Sequence, residues 1–181
     1  EVFSTAIREE LCPEKLSGDE WLNTMRTAHN LGLKSNATML YGHIETNEDR
    51  INHLLKLREL QDETGGFMSF IPLAFHPKNT DMENISSAAG ILDLKMLAIG
   101  RLMLDNFDHI KAFWIMLGIK ISQISLSFGV DDIDGTVAEE KITHSAGAET
   151  PEALTVDDIK SLIEETGREP VERDTLYNHM N

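Results

Sequence analysis

The chain has 181 residues, 41% of them hydrophobic, and a formal net charge of −15. That length gives one domain with a real core, yet falls short of the roughly 250 residues of a complete (β/α)8 barrel. The acidic balance excludes nucleic-acid binding by a basic face, and no apolar run reaches the roughly 18 residues of a membrane span.

The chain opens on Glu1, and Glu1-Val2-Phe3-Ser4 reads as the end of a strand, so the sequence is expected to be the C-terminal part of a longer protein. Cys12 is the single cysteine, which excludes an internal disulfide framework and points to a reducing, cytoplasmic setting. Ser17 caps a helix whose first turn carries Asp19 and Glu20, with Trp21, Leu22, Met25, Ala28 and Leu31 at helical spacing before Gly32 ends it. A strand follows at 35–40, then a helix over 47–64 that stops at Gly65-Gly66. The nearly continuous apolar run 67–73 is a strand buried on both faces. A long loop, 74–89, contains Pro77 and little periodicity, as functional loops often do. Further on, the pattern predicts a helix at 92–104, a strand at 110–116, a helix at 120–128, a strand at 128–133 and an acidic helix at 155–166.

This alternation predicts an α/β fold with parallel strands and right-handed crossovers. The strands are expected to be numbers five to eight of a (β/α) barrel, preceded by the tail of strand four. Residues 1–150 would form that half barrel, and 151–181 a helix and tail packed on it.

Three strand ends carry chemistry. The first is Tyr41-Gly42-His43-Ile44-Glu45, the second Phe75-His76-Pro77, and the third Asp131-Asp132-Ile133-Asp134-Gly135. Polar side chains released at strand C-termini are how barrels build active sites. Such positions suit a divalent metal held by His43, His76 and Asp131, as in a metal-dependent hydrolase, or substrate contacts, or simple loop hydrogen bonds. The Asp131–Gly135 stretch lacks the spacing of a calcium loop. His29, His53, His109 and His144 read as structural or solvated, and Cys12 as a spectator. A non-catalytic module that binds a partner is the remaining alternative.

The strand end Tyr41-Gly42-His43-Ile44-Glu45 resembles the adenine-side Gly-x-x-Glu motif of strand five in radical S-adenosylmethionine enzymes. Residues 36–46, Leu60-Gln61-Asp62-Glu63-Thr64-Gly65-Gly66-Phe67, Phe70-Ile71-Pro72-Leu73-Ala74-Phe75-His76-Pro77, Arg101–Asn106, 131–137 and 170–177 are similar to the aminofutalosine synthase family, so the resemblance covers essentially the whole chain. The cyclic dehypoxanthine futalosine synthases are close cousins and differ after strand six and in the last strand.

The resemblance implies the C-terminal half of a radical S-adenosylmethionine barrel of the menaquinone route. It implies S-adenosylmethionine and a [4Fe–4S] cluster, with the 5′-deoxyadenosyl radical adding to 3-[(1-carboxyvinyl)oxy]benzoate to give aminofutalosine. Cofactor-binding roles are implied for Glu1, Thr38, Tyr41, Gly42, Glu45 and the Phe70, Ile71 and Pro72 backbone. Substrate-binding roles are expected for His43, Phe75, His76, Trp114, Asp131 and Asp134, with Trp114 favoured over Lys111, and no resident metal ion is expected. The family's Cys-x3-Cys-x2-Cys loop is absent, so the cluster ligands are expected outside this chain and the chain alone is expected to be inactive. The open side is expected to be covered by the missing half or by a second copy.

Overall fold

The structure is a computed structural model that describes residues 2–136 and 153–180. Three helix starts are fixed by reciprocal capping boxes in which a hydroxyl and a carboxylate three residues on satisfy two backbone N–H groups. Ser17 and Glu20 open α2 (Gly18–Asn30), Thr46 and Asp49 open α3 (Asn47–Thr64), and Thr155 and Asp158 open α7 (Val156–Glu164). Between them lie β1 (Ser35–Tyr41), β2 (Phe67–Ala74), α4 (Gly90–Met103), β3 (His109–Ala112), α5 (Trp114–Leu117), α6 (Ile119–Ser125) and β4 (Asp132–Ile133). No helix among the described residues is long and apolar enough to cross a membrane. The expected division at 150/151, together with Glu1 and His144, lies outside the described residues.

Three expectations are corrected. Residues 2–4, expected to end a strand, are irregular and lead into a first helix, α1 (Thr5–Leu11), whose Arg8 is buried against the Leu16 and Val2 carbonyls. The strand expected at 110–116 stops at Ala112, and Trp114–Leu117 coils into a helical turn. An apolar run of that length does not distinguish strand from buried helix. The strand expected at 128–133 shrinks to two residues, because Leu126–Phe128 continues the preceding helix as a 3-10 turn and Gly129 breaks it at φ +94°.

The four strands form one parallel sheet in the order β1-β2-β3-β4. Strand residues alternate between its two faces. One face carries Ala37, Met39, Tyr41, Phe70, Ile110 and Ala112, all buried in the main hydrophobic core. Helix α4 lies on it closely enough that a Cβ at Gly100 would come 3.1 Å from the Phe70 ring. The register puts Asn36, Thr38, Ser69, Ile71, His109, Lys111 and Asp132 on the other, inner face. Asn36 and Thr38 are exposed there.

His29 ties three elements together. Its Nδ1 lies 2.8 Å from the Thr64 hydroxyl and its Nε2 2.8 Å from that of Ser35, joining α2 to the end of α3 and the start of β1. The ring fits only because residue 66 is glycine, since a Cβ there would fall 2.0 Å from the His29 Cγ. Gly66→Ala is therefore expected to push the imidazole out and destabilise the fold by about 1–3 kcal/mol. Chemical denaturation checks this, and an unchanged midpoint would contradict it.

Candidate active site

The mouth is formed by the turns that leave the C-terminal ends of the strands, and the turn after β1 is the most constrained. Gly42 sits at φ +89°, and a Cβ there would lie 3.1 Å from Ala88 in the loop after β2. Glu45 folds back beneath the turn. One carboxylate oxygen accepts the Gly42 N–H and the Arg50 guanidinium at 2.7 Å, and the other accepts the His43 N–H at 2.8 Å. Burial pushes this carboxyl upward, but hydrogen bonds from His43 and Gly42 outweigh it and hold the pKa at about 2. Glu45 is thus a clasp that fixes the turn, and its side chain is fully buried.

His43 belongs to the same clasp. Its Nε2 meets the Leu40 carbonyl at 3.1 Å, and its Nδ1 lies 3.0 Å from the second Glu45 oxygen, beside the Ile44 N–H at 2.8 Å. With no exposed side-chain surface, it does not hold a substrate carboxylate. Tyr41 is corrected as well. It points to the helix side, where its hydroxyl donates to Asp93 Oδ1 at 2.7 Å, and burial followed by the Asp93 charge raises its pKa. Asp93 is itself raised by burial, against the pull of the Tyr41 bond and of His76 nearby. This Asp93 beneath the mouth gave no motif in the sequence; its place in the first turn of a helix was its only signal.

Phe75 and His76 do reach the mouth. Phe75 donates its N–H to the Tyr41 carbonyl at 2.8 Å, and its ring lies perpendicular to that of His43 with centroids 6.1 Å apart. His76 is half-buried, and its Nε2 lies 3.0 Å from the Met116 carbonyl. Thr38 and Ile71 face the inner side, whereas Phe70 and Pro72 are buried. The β2–β3 ladder ends at Phe70–Ile110. The next residue of that strand parity, Pro72, has no N–H to continue it.

Two further expectations fail. Trp114 is fully buried in a satellite cluster, its indole N–H given to the Gly135 carbonyl at 3.2 Å. Asp131 precedes β4 and sits at the end opposite the mouth, bound to Arg101, His109 and the Ile110 N–H. His43, His76 and Asp131 therefore do not converge, and no group of three among the described residues could hold a metal ion. The metal-dependent hydrolase reading falls with that triad. Lys111, set aside in the sequence in favour of Trp114, is the residue that faces inward, 3.0 Å from Asp134. Cys12, which caps the end of α1, is the single cysteine, so a three-thiolate cluster does not fit this chain.

The family profile described as the CofH/MqnC C-terminal region matches residues 64–181. The aminodeoxyfutalosine synthase of Thermus thermophilus is 50% identical over 99% of this chain and 50% of its own length. The 5-amino-6-(D-ribitylamino)uracil–L-tyrosine 4-hydroxyphenyl transferase of Methanococcoides burtonii is 42% identical over 98% of this chain and 52% of its own. Among solved structures, methylornithine synthase superposes with a TM-score of 0.70 at 19% identity, covering 95% of this chain and 50% of that one. That likeness bears out the α/β fold class, with parallel strands and helices packed on them as in a partial (β/α) barrel. The chain spans about half the length of the curated relatives it matches.

The Glu45 clasp makes a pH prediction. A carboxyl held at about 2 against an ordinary 4.5 stabilises the fold above pH 4.5, and the contribution is lost as pH falls through 2. Its size is on the order of 3 kcal/mol. Wild type should exceed Glu45→Gln in stability at pH 7, and the gap should close near pH 2. Urea midpoints across that range measure it, and a gap independent of pH would contradict the clasp.

Proposed function

Because the chain belongs to the CofH/MqnC family, we propose that it is the second half of an aminodeoxyfutalosine synthase, a radical S-adenosylmethionine enzyme. The observation that carries this reading is the 50% identity to the Thermus thermophilus enzyme, which runs through 99% of the chain and so through every turn of the mouth. S-adenosylmethionine, bound beside a cluster held by the other half, supplies the one-electron chemistry. This chain's residues hold and orient. The Glu45 clasp fixes the Gly42 turn, so that a ligand can approach the backbone where no side chain intervenes. Thr38 is available to the ligand from the inner face, and Asp134 stands at the end of β4 against Lys111.

For the substrate, 3-[(1-carboxyvinyl)oxy]benzoate, the half-buried Phe75 would contact the ring and the half-buried His76 a carboxylate, both from the turn after β2. The exposed inner side at Asn36 and Thr38 supports a partner that covers it, either the missing barrel half or a second copy. A second reading comes from the archaeal relatives, which are nearly as similar and are named for joining a 4-hydroxyphenyl group to 5-amino-6-(D-ribitylamino)uracil. The cyclic dehypoxanthine futalosine synthase activity is the other alternative within the family.

The test supplies the full-length protein with S-adenosylmethionine and each substrate set in turn. Product is expected from 3-[(1-carboxyvinyl)oxy]benzoate and not from 5-amino-6-(D-ribitylamino)uracil with L-tyrosine; the reverse result would overturn the assignment. In the same assay, His76→Ala is expected to lower product formation by at least tenfold, with uncoupled S-adenosylmethionine cleavage little changed. Equal loss of both would place His76 on the cofactor or in the scaffold.

A further inference from the structure

At the end of the sheet opposite the mouth, the chain turns back on itself. The segment Val171–Met180 crosses the inner face at the first residues of β3 and β4. Arg173 grips Asp132 with two nitrogens, at 3.0 and 2.7 Å, and the Tyr177 hydroxyl donates to the same carboxylate at 2.7 Å. The Tyr177 ring lies flat on His109, with centroids 4.0 Å apart, and the Arg173 guanidinium stacks 4.1 Å from the Tyr177 ring centre. Burial raises the Tyr177 pKa further.

This segment is shaped for its seat. A bridge between Arg173 and His179 closes it into a tight turn, and the Asp174 carboxylate takes the Leu176 and Asn178 N–H groups within it. Tyr177 adopts φ +65°, a left-handed conformation that costs a bulky residue energy unless its surroundings hold it there. Here the surroundings are the Asp132 hydrogen bond and the His109 ring.

The charges beneath the segment are already matched. Asp131 meets Arg101, Asp132 meets Arg173 with Lys111 at 3.7 Å, and Asp134 meets Lys111 at 3.0 Å. A cluster with its cations supplied from within the chain has little left over for an ion or a ligand. Its work is to bind the returning segment.

We propose that Val171–Met180 is the floor of the barrel cavity, sealing the end opposite the mouth through Arg173, Tyr177, Asp132 and His109. Once a partner covers the open side at Asn36 and Thr38, this floor leaves the mouth as the route by which water reaches the inner face. The two-residue strand β4 has little ladder of its own, so this tie also fixes Asp134 against Lys111. The proposal rests on the half-barrel reading but not on the reaction assigned to it.

The test is hydrogen–deuterium exchange in the full-length protein, with no substrate and no turnover, comparing wild type, Tyr177→Phe and Tyr177→Ala. The phenylalanine variant keeps the ring on His109 and loses the Asp132 bond; the alanine variant loses both. Peptides over 109–112 and 131–134 are expected to exchange several-fold faster in the first variant and at least tenfold faster in the second, with α3 unchanged. Unchanged exchange in both variants, or a rise shared equally by α3, would overturn the proposal.

Discussion

A parallel strand has two faces, and this sheet gives one of them wholly to its helices. That constraint decides which side chains can do chemistry. Tyr41, Phe70 and Ile110 are spent on packing against the helix layer, with Tyr41 reaching Asp93 of α4. Thr38, Ile71, Lys111 and Asp132 are left to the inner side by the same alternation. A residue's place at a strand end therefore says less about its role than its parity along the strand does.

The two ends of the sheet solve opposite problems with the same device, a buried carboxylate surrounded by donors. At the mouth, Glu45 gathers two backbone N–H groups and Arg50, which turns a glycine-containing corner into a rigid edge. At the other end, Asp132 gathers Arg173 and Tyr177 and draws the C-terminal segment across the inner face. Buried carboxylates are costly without partners, so each fixes the groups around it more tightly than an apolar contact would. The mouth remains free for ligands because the residues that build it are satisfied from below.

Much of the fold was legible in the sequence. The cap at Ser17 marked a helix start that the structure keeps, the helices expected from 47 and 155 begin within a residue of those positions, and the strands begin at 35 and 67 as expected. The second half was harder to read, because Trp114–Leu117 and Leu126–Phe128 are apolar stretches in which helix and strand patterns look alike. The site was legible as a location and not as a set of contacts. Glycine, histidine and glutamate after β1 correctly pointed to a special turn, but nothing local revealed that His43 and Glu45 serve each other rather than a ligand. Asp131 was misplaced because the start of a two-residue strand cannot be found to within a residue from its pattern. The pairing of Asp132 with Arg173 joins residues 41 apart in sequence and has no local signature at all.

The proposed function places the turn held by Glu45 as one wall of an S-adenosylmethionine site. Calorimetric binding of S-adenosylmethionine to the full-length protein tests it most directly, with Glu45→Gln set beside Glu20→Gln, whose carboxylate caps α2 away from the mouth. The account predicts at least tenfold weaker binding for Glu45→Gln and wild-type affinity for Glu20→Gln. Wild-type affinity in a folded Glu45→Gln protein would contradict it.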